Sequence, residues 1–99
     1  MNMQAILKQA QTIQKDMMKA QEQINSTIFE GASSLVTIKM NGKKEVIEVK
    51  IDKSSSMDSD DLEALEDMIM LAFNDAAKKV DKMTEEKMGK YTNAMPGLF

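Results

Sequence analysis

The chain has 99 residues and a formal net charge of −3, and it contains neither Cys nor His. These absences exclude disulfides and zinc–thiolate sites and are compatible with a reducing compartment. All 13 basic residues are Lys, so the forked guanidinium contact that reads guanine edges best is excluded as well. The length predicts one small domain, residues 1–99, whose thin core favours an oligomer.

The first predicted element is a long helix over about residues 2–25. Its apolar residues follow alternating spacings of three and four, which is the a/d pattern of a coiled-coil seam. They are Met3, Ile6, Ala10, Ile13, Met17, Ala20 and Ile24. A helix of this length cannot bury the whole seam on a small sheet, so we expect part of the seam to contact another helix. The methionines in it are more typical of adaptable core packing than of a binding surface.

An antiparallel meander of three strands is predicted next. The strands lie at about residues 28–33, 35–41 and 44–51. Asn41-Gly42 favours a two-residue type I′ turn, because that turn needs positive φ at both central positions. This turn places Val36 opposite Ile47, and a tight first turn places Phe29 opposite Ile38. One face of the sheet becomes apolar and needs a cover from the flanking helices.

The polar stretch after the third strand resembles a calcium loop at several positions. Oxygen-bearing side chains occur at the required spacings in Asp52, Ser54, Ser56, Asp58, Asp60 and Glu63. The calcium template also demands Gly at its sixth position, where Met57 stands, and a helix rather than a strand before it. We therefore predict a solvated loop whose acids cap the next helix, and no metal site.

The last predicted element is a second long helix over about residues 59–88. Asp60 and Glu63 form its expected reciprocal cap, and Gly89 is expected to end it. Acidic residues lead and lysines trail, which matches the helix dipole. A short tail, residues 89–99, either docks or is mobile. The predicted fold class is α+β: a long N-terminal helix, a three-stranded antiparallel meander, a long C-terminal helix and a short tail.

The residue inventory argues against an enzyme. Without His, Cys or Arg, most general-base, nucleophile and anion-clamp roles have no candidate. No glycine-rich phosphate loop is present, so we expect no cofactor. The N-terminal stretch has no apolar signal region and no apolar run is long enough to span a bilayer, so we expect a soluble cytoplasmic protein without a membrane partner.

Short stretches distributed over almost the whole chain form a distinctive combination. They are Asn41-Gly42-Lys43, Ile51-Asp52, Leu65-Glu66-Asp67, Ala72-Phe73-Asn74-Asp75-Ala76, Lys87-Met88 and Met95-Pro96-Gly97-Leu98-Phe99. Together they resemble the bacterial YbaB/EbfC nucleoid-associated proteins. The resemblance implies a small dimeric α+β protein that binds duplex DNA with little sequence preference on the nucleoid, affecting nucleoid organisation and gene expression.

The chain departs from the family pattern at three points. Ser33-Ser34 replace a glycine-rich turn, Lys53 stands where Pro is frequent, and Arg is absent. The first two departures concern turns. The third argues against sequence-specific binding more than against non-specific binding, since Lys still neutralises phosphate as a point charge.

Lysines on the outer faces of the two helices are the candidate DNA-binding residues. They are Lys8, Lys15 and Lys19 on the first helix and Lys78, Lys79, Lys82, Lys87 and Lys90 on the second. Such lysines are equally typical of ordinary solubilising surface. The alternative function is a non-enzymatic interaction module, whose first helix docks a partner protein such as a clamp loader or recombination factor.

Overall fold

The computed structural model describes residues 2–53 and 58–94 and confirms the α+β prediction. The elements in chain order are α1 (Met3–Ser26), β1 (Phe29–Ser33), β2 (Val36–Met40), β3 (Val46–Ile51) and α2 (Asp61–Ala94). The strands form one antiparallel sheet in the order β1-β2-β3. Part of the predicted tail belongs to α2, and residues 95–99 lie outside the described residues.

The register between β1 and β2 differs from the prediction by two residues. Phe29 lies opposite Met40, not Ile38, because the turn is formed by Ser34 and Leu35. Ser34 has a φ of 50°, a left-handed conformation that a two-residue hairpin turn requires and that the sequence pattern did not mark with glycine. Because the shift is even, the same side chains still share the apolar face.

The predicted two-residue turn between β2 and β3 is wrong. Val36 lies opposite Ile51, four residues from the predicted partner, and a bulge interrupts the pairing beside Met40. The loop is longer because the Asn41 side chain organises it. Its Oδ1 accepts hydrogen bonds from the backbone N–H groups of Lys43, at 2.9 Å, and Glu45, at 3.1 Å. The positive φ lies at Lys44, with a value of 63°.

Gly42 is needed for close packing and not for a left-handed turn. Its backbone lies against the end of α1, where an added Cβ would meet the backbone oxygen of Ile24 and come within 2.7 Å of that residue's Cγ2. The Gly42 N–H also donates to the carbonyl of Asn25 at 3.4 Å. The turn therefore anchors the sheet to α1, whose one buried residue among those described is Ile24.

The core lies between the sheet and the middle of α2. Its buried members are Phe29, Val36, Ile38, Met40, Ala72, Ala76 and Val80. Gly31 allows the close approach, because an added Cβ there would meet the backbone of Ala72 and lie 2.8 Å from the Cβ of Ala76. α2 packs over β1 and β2 but not over β3, among the elements described.

Both ends of α2 differ from the prediction. The cap is Asp58, whose Oδ1 accepts from the N–H groups of Asp60 and Asp61 at 3.0 and 3.2 Å. The Asp61 carboxylate in turn accepts a hydrogen bond from the Asp58 N–H at 2.9 Å. The reciprocal cap therefore lies two residues before the predicted one. At the other end α2 continues through Gly89 to Ala94. Just before this extension Met88 is buried and Lys87 contacts Gln23 of α1.

Candidate nucleic-acid interface

Lys79, one of the predicted DNA-binding residues, is held at the edge of the sheet. Its Nζ donates to the carbonyl of Glu30 in β1 at 2.7 Å and lies 3.6 Å from the Asp75 carboxylate. Asp75 in turn accepts from the Ala32 N–H at 3.1 Å. Lys79 and Asp75 therefore satisfy two outward-facing backbone groups of β1, and the Lys79 ammonium group already has partners within the chain.

Two further candidates near the end of α2 also have partners. Lys87 donates from its Nζ to the Gln23 side-chain oxygen at 3.3 Å and so links α2 to α1. The Nζ of Lys90 lies 5.0 Å from the centre of the Tyr91 ring, within cation–π distance. These lysines contribute positive charge to the surface, but their positions are explained by contacts within the chain.

Lys78 and Lys82 are exposed, and their surroundings are acidic. Asp75 and Asp81 lie three residues on either side of Lys78, and Glu85 and Glu86 follow Lys82 by three and four. Residues at these separations are neighbours on a helix surface. Local carboxylates therefore offset part of the attraction that the two lysines would exert on a phosphate backbone, although Asp75 and Asp81 also pair with Lys79 and Lys44.

Lys8 and Lys15 on α1 have a different environment. Both are exposed, and no Asp or Glu occurs between Met3 and Lys15. No Asp or Glu stands three or four residues from either lysine, where the neighbours include Gln11, Thr12 and Lys19. Asp16 directly follows Lys15 in sequence and so points to another side of the helix. Lys19, also exposed, lies between Asp16 and Glu22 in sequence, so its charge is partly offset.

The spacing along α1 places two of these lysines on one face of the helix. Lys8 and Lys15 are separated by one heptad, which places them on the same face, about 10 Å apart along the axis at ~1.5 Å per residue. They occupy the face opposite the apolar seam. The groove that includes Lys15 and Lys19 is lined by α1 alone, so it is an open helix surface and not an enclosed pocket.

The structure thus separates the eight predicted lysines into distinct groups. Lys8 and Lys15 have no acidic residue at the neighbouring positions of the helix, three or four residues away, whereas Lys79 and Lys87 make contacts that hold elements together. The sequence prediction treated all eight alike. The distribution of Asp and Glu at helical neighbour positions was visible in the sequence and would have distinguished Lys78 from Lys8, but the role of Asp75 at β1 depends on a tertiary contact.

The described parts of the chain, residues 2–53 and 58–94, show two further properties. They contain no helix that is both long enough and apolar enough to cross a membrane. They also contain no cluster of three or more acidic side chains arranged to hold a metal ion. Asp58, one of the residues that matched the calcium pattern, caps α2, while Ser54 and Ser56 lie outside the described residues.

Comparison with known proteins identifies the family. The model of the YbaB/EbfC DNA-binding family matches residues 1–95. The chain belongs to the YbaB/EbfC DNA-binding family. A nucleoid-associated protein of Ligilactobacillus salivarius is 44% identical, over 99% of this chain and 95% of the relative. A nucleoid-associated protein of Chloroflexus aurantiacus is 39% identical over the full length of both chains, 100% of each.

The fold of this YbaB/EbfC family member also occurs in a solved structure. The crystal structure of an uncharacterized protein from Helicobacter pylori superposes with a TM-score of 0.69 and 25% sequence identity. The match covers 96% of this chain and 98% of the other. The whole arrangement of two helices and a small sheet is therefore shared, and not only one of its elements.

Proposed function

We propose that this YbaB/EbfC family member is a non-enzymatic protein of the bacterial nucleoid that binds duplex DNA as a homodimer. The binding has little sequence preference and organises the nucleoid, with effects on gene expression. The observation that carries the proposal is the outer face of α1, where Lys8 and Lys15 are exposed and no Asp or Glu stands three or four residues from either. The relatives named as nucleoid-associated proteins support the assignment.

The chemistry of Lys accounts for the low sequence preference. An ammonium group contacts phosphate as a point charge and lacks the fork that pairs with guanine. Phosphate contacts position a protein on a duplex without reading its sequence. A net charge of −3 also gives no general attraction to DNA, so binding depends on the local basic surface of α1.

The homodimer is proposed from apolar surface that remains uncovered. β3 exposes Val46, Ile47 and Val49 by 44–56%. Nearby in chain order, the first half of α2 exposes Leu62, Met70 and Leu71 by 54–55%. The two relatives named above match this chain over 95% and 100% of their own length, so the similarity extends over nearly the whole of each protein. A second copy of the chain is the simplest cover, and it doubles the basic surface.

A comparison of two matched variants tests the DNA-binding site. We expect Lys8→Gln/Lys15→Gln to weaken binding to all duplex sequences and to make the salt dependence shallower. Each lost phosphate contact removes about 0.9 from the log–log salt slope, so a dimer lacking four such contacts loses up to about 3.6. Lys78→Gln/Lys82→Gln removes the same charge from α2 and is expected to change the slope less.

Duplex titrations at several salt concentrations provide the measurement, and sedimentation confirms that each variant keeps the parent's assembly state. Equal effects of the two double variants would contradict the assignment to α1. If neither variant differs from the parent, the lysines are solubilising surface and the docking of a partner protein becomes the better hypothesis. A marked preference of the parent for one sequence over its scrambled version would contradict binding by point charges.

A further inference from the structure

The N-terminal half of α1 carries an apolar seam that no described part of the chain covers. Met3 is 71% exposed and Ile6 is 42% exposed, whereas Ile24, at the other end of the same seam, is fully buried. α1 packs against α2 near its own C-terminal end, where Gln23 meets Lys87. The exposed half therefore extends beyond its only helical neighbour within the described residues.

The pattern of the seam indicates that its occupant is another helix. A strict a/d repeat is narrower than the apolar face of a helix that lies on a sheet, and it is typical of helix pairs. The C-terminal end of α1 already lies against α2, where Gln23 meets Lys87. Ala10, in the middle of the exposed half, leaves room for the close approach of a second helix.

The positions that flank the seam favour a second copy of α1 as that helix. On one side stand Asn2 and Gln9, and on the other stand Leu7 and Gln14. In coiled coils these flanking positions decide partner choice through charge, and like charges there would oppose self-pairing. Here all four are uncharged, so two identical segments meet without repulsion. An antiparallel pair with Met3 opposite Ile13 also places Ile6 opposite Ala10, a large residue against a small one.

We propose that residues 3–14 of α1 pair antiparallel with the same segment of a second copy and thereby link two dimers. The lysines at positions 8 and 15 lie on the opposite face and stay free in this pair. Linked dimers would hold two duplexes together, so the protein bridges DNA segments. The pairing of helices stands by itself, while the bridging rests on the proposed DNA-binding function.

A pair of double variants separates seam pairing from duplex binding. Met3→Gln/Ile6→Gln changes two exposed seam residues to a good helix former, so the fold should be kept. Thr12→Gln/Met18→Gln is the control, because both residues are exposed and lie outside the seam. Bridging is measured with beads that carry one duplex and a second, labelled duplex in solution, which the parent should hold on the beads. We expect the seam variant to bind a single duplex with the parent's affinity but to leave the labelled duplex in solution. The control is expected to retain both single-duplex binding and bridging.

Cross-linking tests the pairing without DNA. Since the chain has no Cys, Ala10→Cys introduces a single thiol in the seam and Gln11→Cys a single thiol on the outer face. A short bismaleimide is expected to join two chains through Ala10→Cys and not through Gln11→Cys. The link should persist when Val49→Glu is added on β3, because the seam pair is separate from the proposed dimer surface.

Failure of the two proposals gives different results. If the Ala10→Cys variant cross-links but the parent binds no duplex, the DNA-binding function is contradicted and the helix pair is supported. Absence of the cross-link, or its loss on addition of Val49→Glu, overturns the pairing between dimers. The seam could instead bind lipid. In that case the parent would partition into phosphatidylserine vesicles, Met3→Gln/Ile6→Gln would abolish this partition, and no cross-link would form in solution. This result would also overturn the proposal.

Discussion

Two glycines of this chain differ in how closely other atoms pack against them. Gly31 in β1 faces the backbone of α2, and a Cβ there would meet the carbonyl oxygen of Ala72 and the N–H of Ala76. Gly89 within α2 has no such neighbour within 4 Å. At the first position a missing side chain allows the sheet and the helix to pack. At the second it only lowers helix propensity, by about 1 kcal/mol relative to Ala.

The same substitution at these glycines should therefore have opposite signs. We expect Gly31→Ala to lower the free energy of unfolding by about 2–3 kcal/mol, because the new methyl meets backbone that cannot rotate away. Gly89→Ala should raise it by about 0.5–1 kcal/mol. Denaturant unfolding at one fixed protein concentration measures both. A Gly31→Ala variant as stable as the parent would contradict the close approach of β1 to α2.

Residue patterns predicted the elements well and the contacts between them less well. The seam of α1 and the alternation in β2 come from local periodicity, so both were visible in the sequence. The Asn41-Gly42 pair was misinterpreted because the constraint on Gly42 is its contact with Ile24, which periodicity does not reveal. The sequence identified the candidate lysines as a set. The separate role of Lys79 could be recognised only from the structure, which places its Nζ against the carbonyl of Glu30 in β1.

At the scale of elements, α2 is the scaffold on which the rest of the chain packs. Its middle covers β1 and β2, its last turns contact α1, and its first turns carry exposed apolar residues such as Leu62 and Met70. Such a helix depends on its N-terminal cap, since its first turns gain little from the core. Asp58 supplies this cap through the N–H groups of Asp60 and Asp61.

Removal of the cap should destabilise the protein measurably. We expect Asp58→Ala to lower the free energy of unfolding by about 1 kcal/mol, the usual effect of losing an N-cap side chain. Asp60→Ala is the matched control, because it removes the same charge near the same helix end but no cap oxygen. Urea unfolding of both variants provides the comparison. If the two variants are equally stable, Asp58 stabilises the protein through the interaction of its charge with the helix dipole and not through its hydrogen bonds.

The whole molecule is long and thin, with extents of 71 × 20 × 14 Å. A chain of this shape has little interior, and its core consists of one layer of side chains between the sheet and α2. Apolar residues on β3 and on the first half of α2 remain at the surface. Large exposed apolar patches of this kind mark association surfaces.

The proposed dimer surface can be tested on the two faces of β3. We expect the parent to sediment as a dimer at micromolar concentration and Val49→Glu to sediment as a monomer, because a carboxylate in an apolar interface is strongly unfavourable. Lys50→Glu changes the net charge more than Val49→Glu does, but it lies on the polar face of β3 beside Glu48. The Lys50→Glu variant should therefore remain dimeric. A dimeric Val49→Glu variant or a monomeric parent would contradict the assignment.

The contacts of Asp75 and Lys79 with β1 also limit how this protein can aggregate. Because the Glu30 carbonyl and the Ala32 N–H are already bonded to α2, two of the groups that would pair with another strand at that border are occupied. A chain that joins at β3 brings its own obstructed β1 border, which opposes further lateral growth of the sheet. Cross-β fibrils need every unit to offer two open borders. With its β1 border partly occupied by α2, the folded chain is a poor unit for such a fibril.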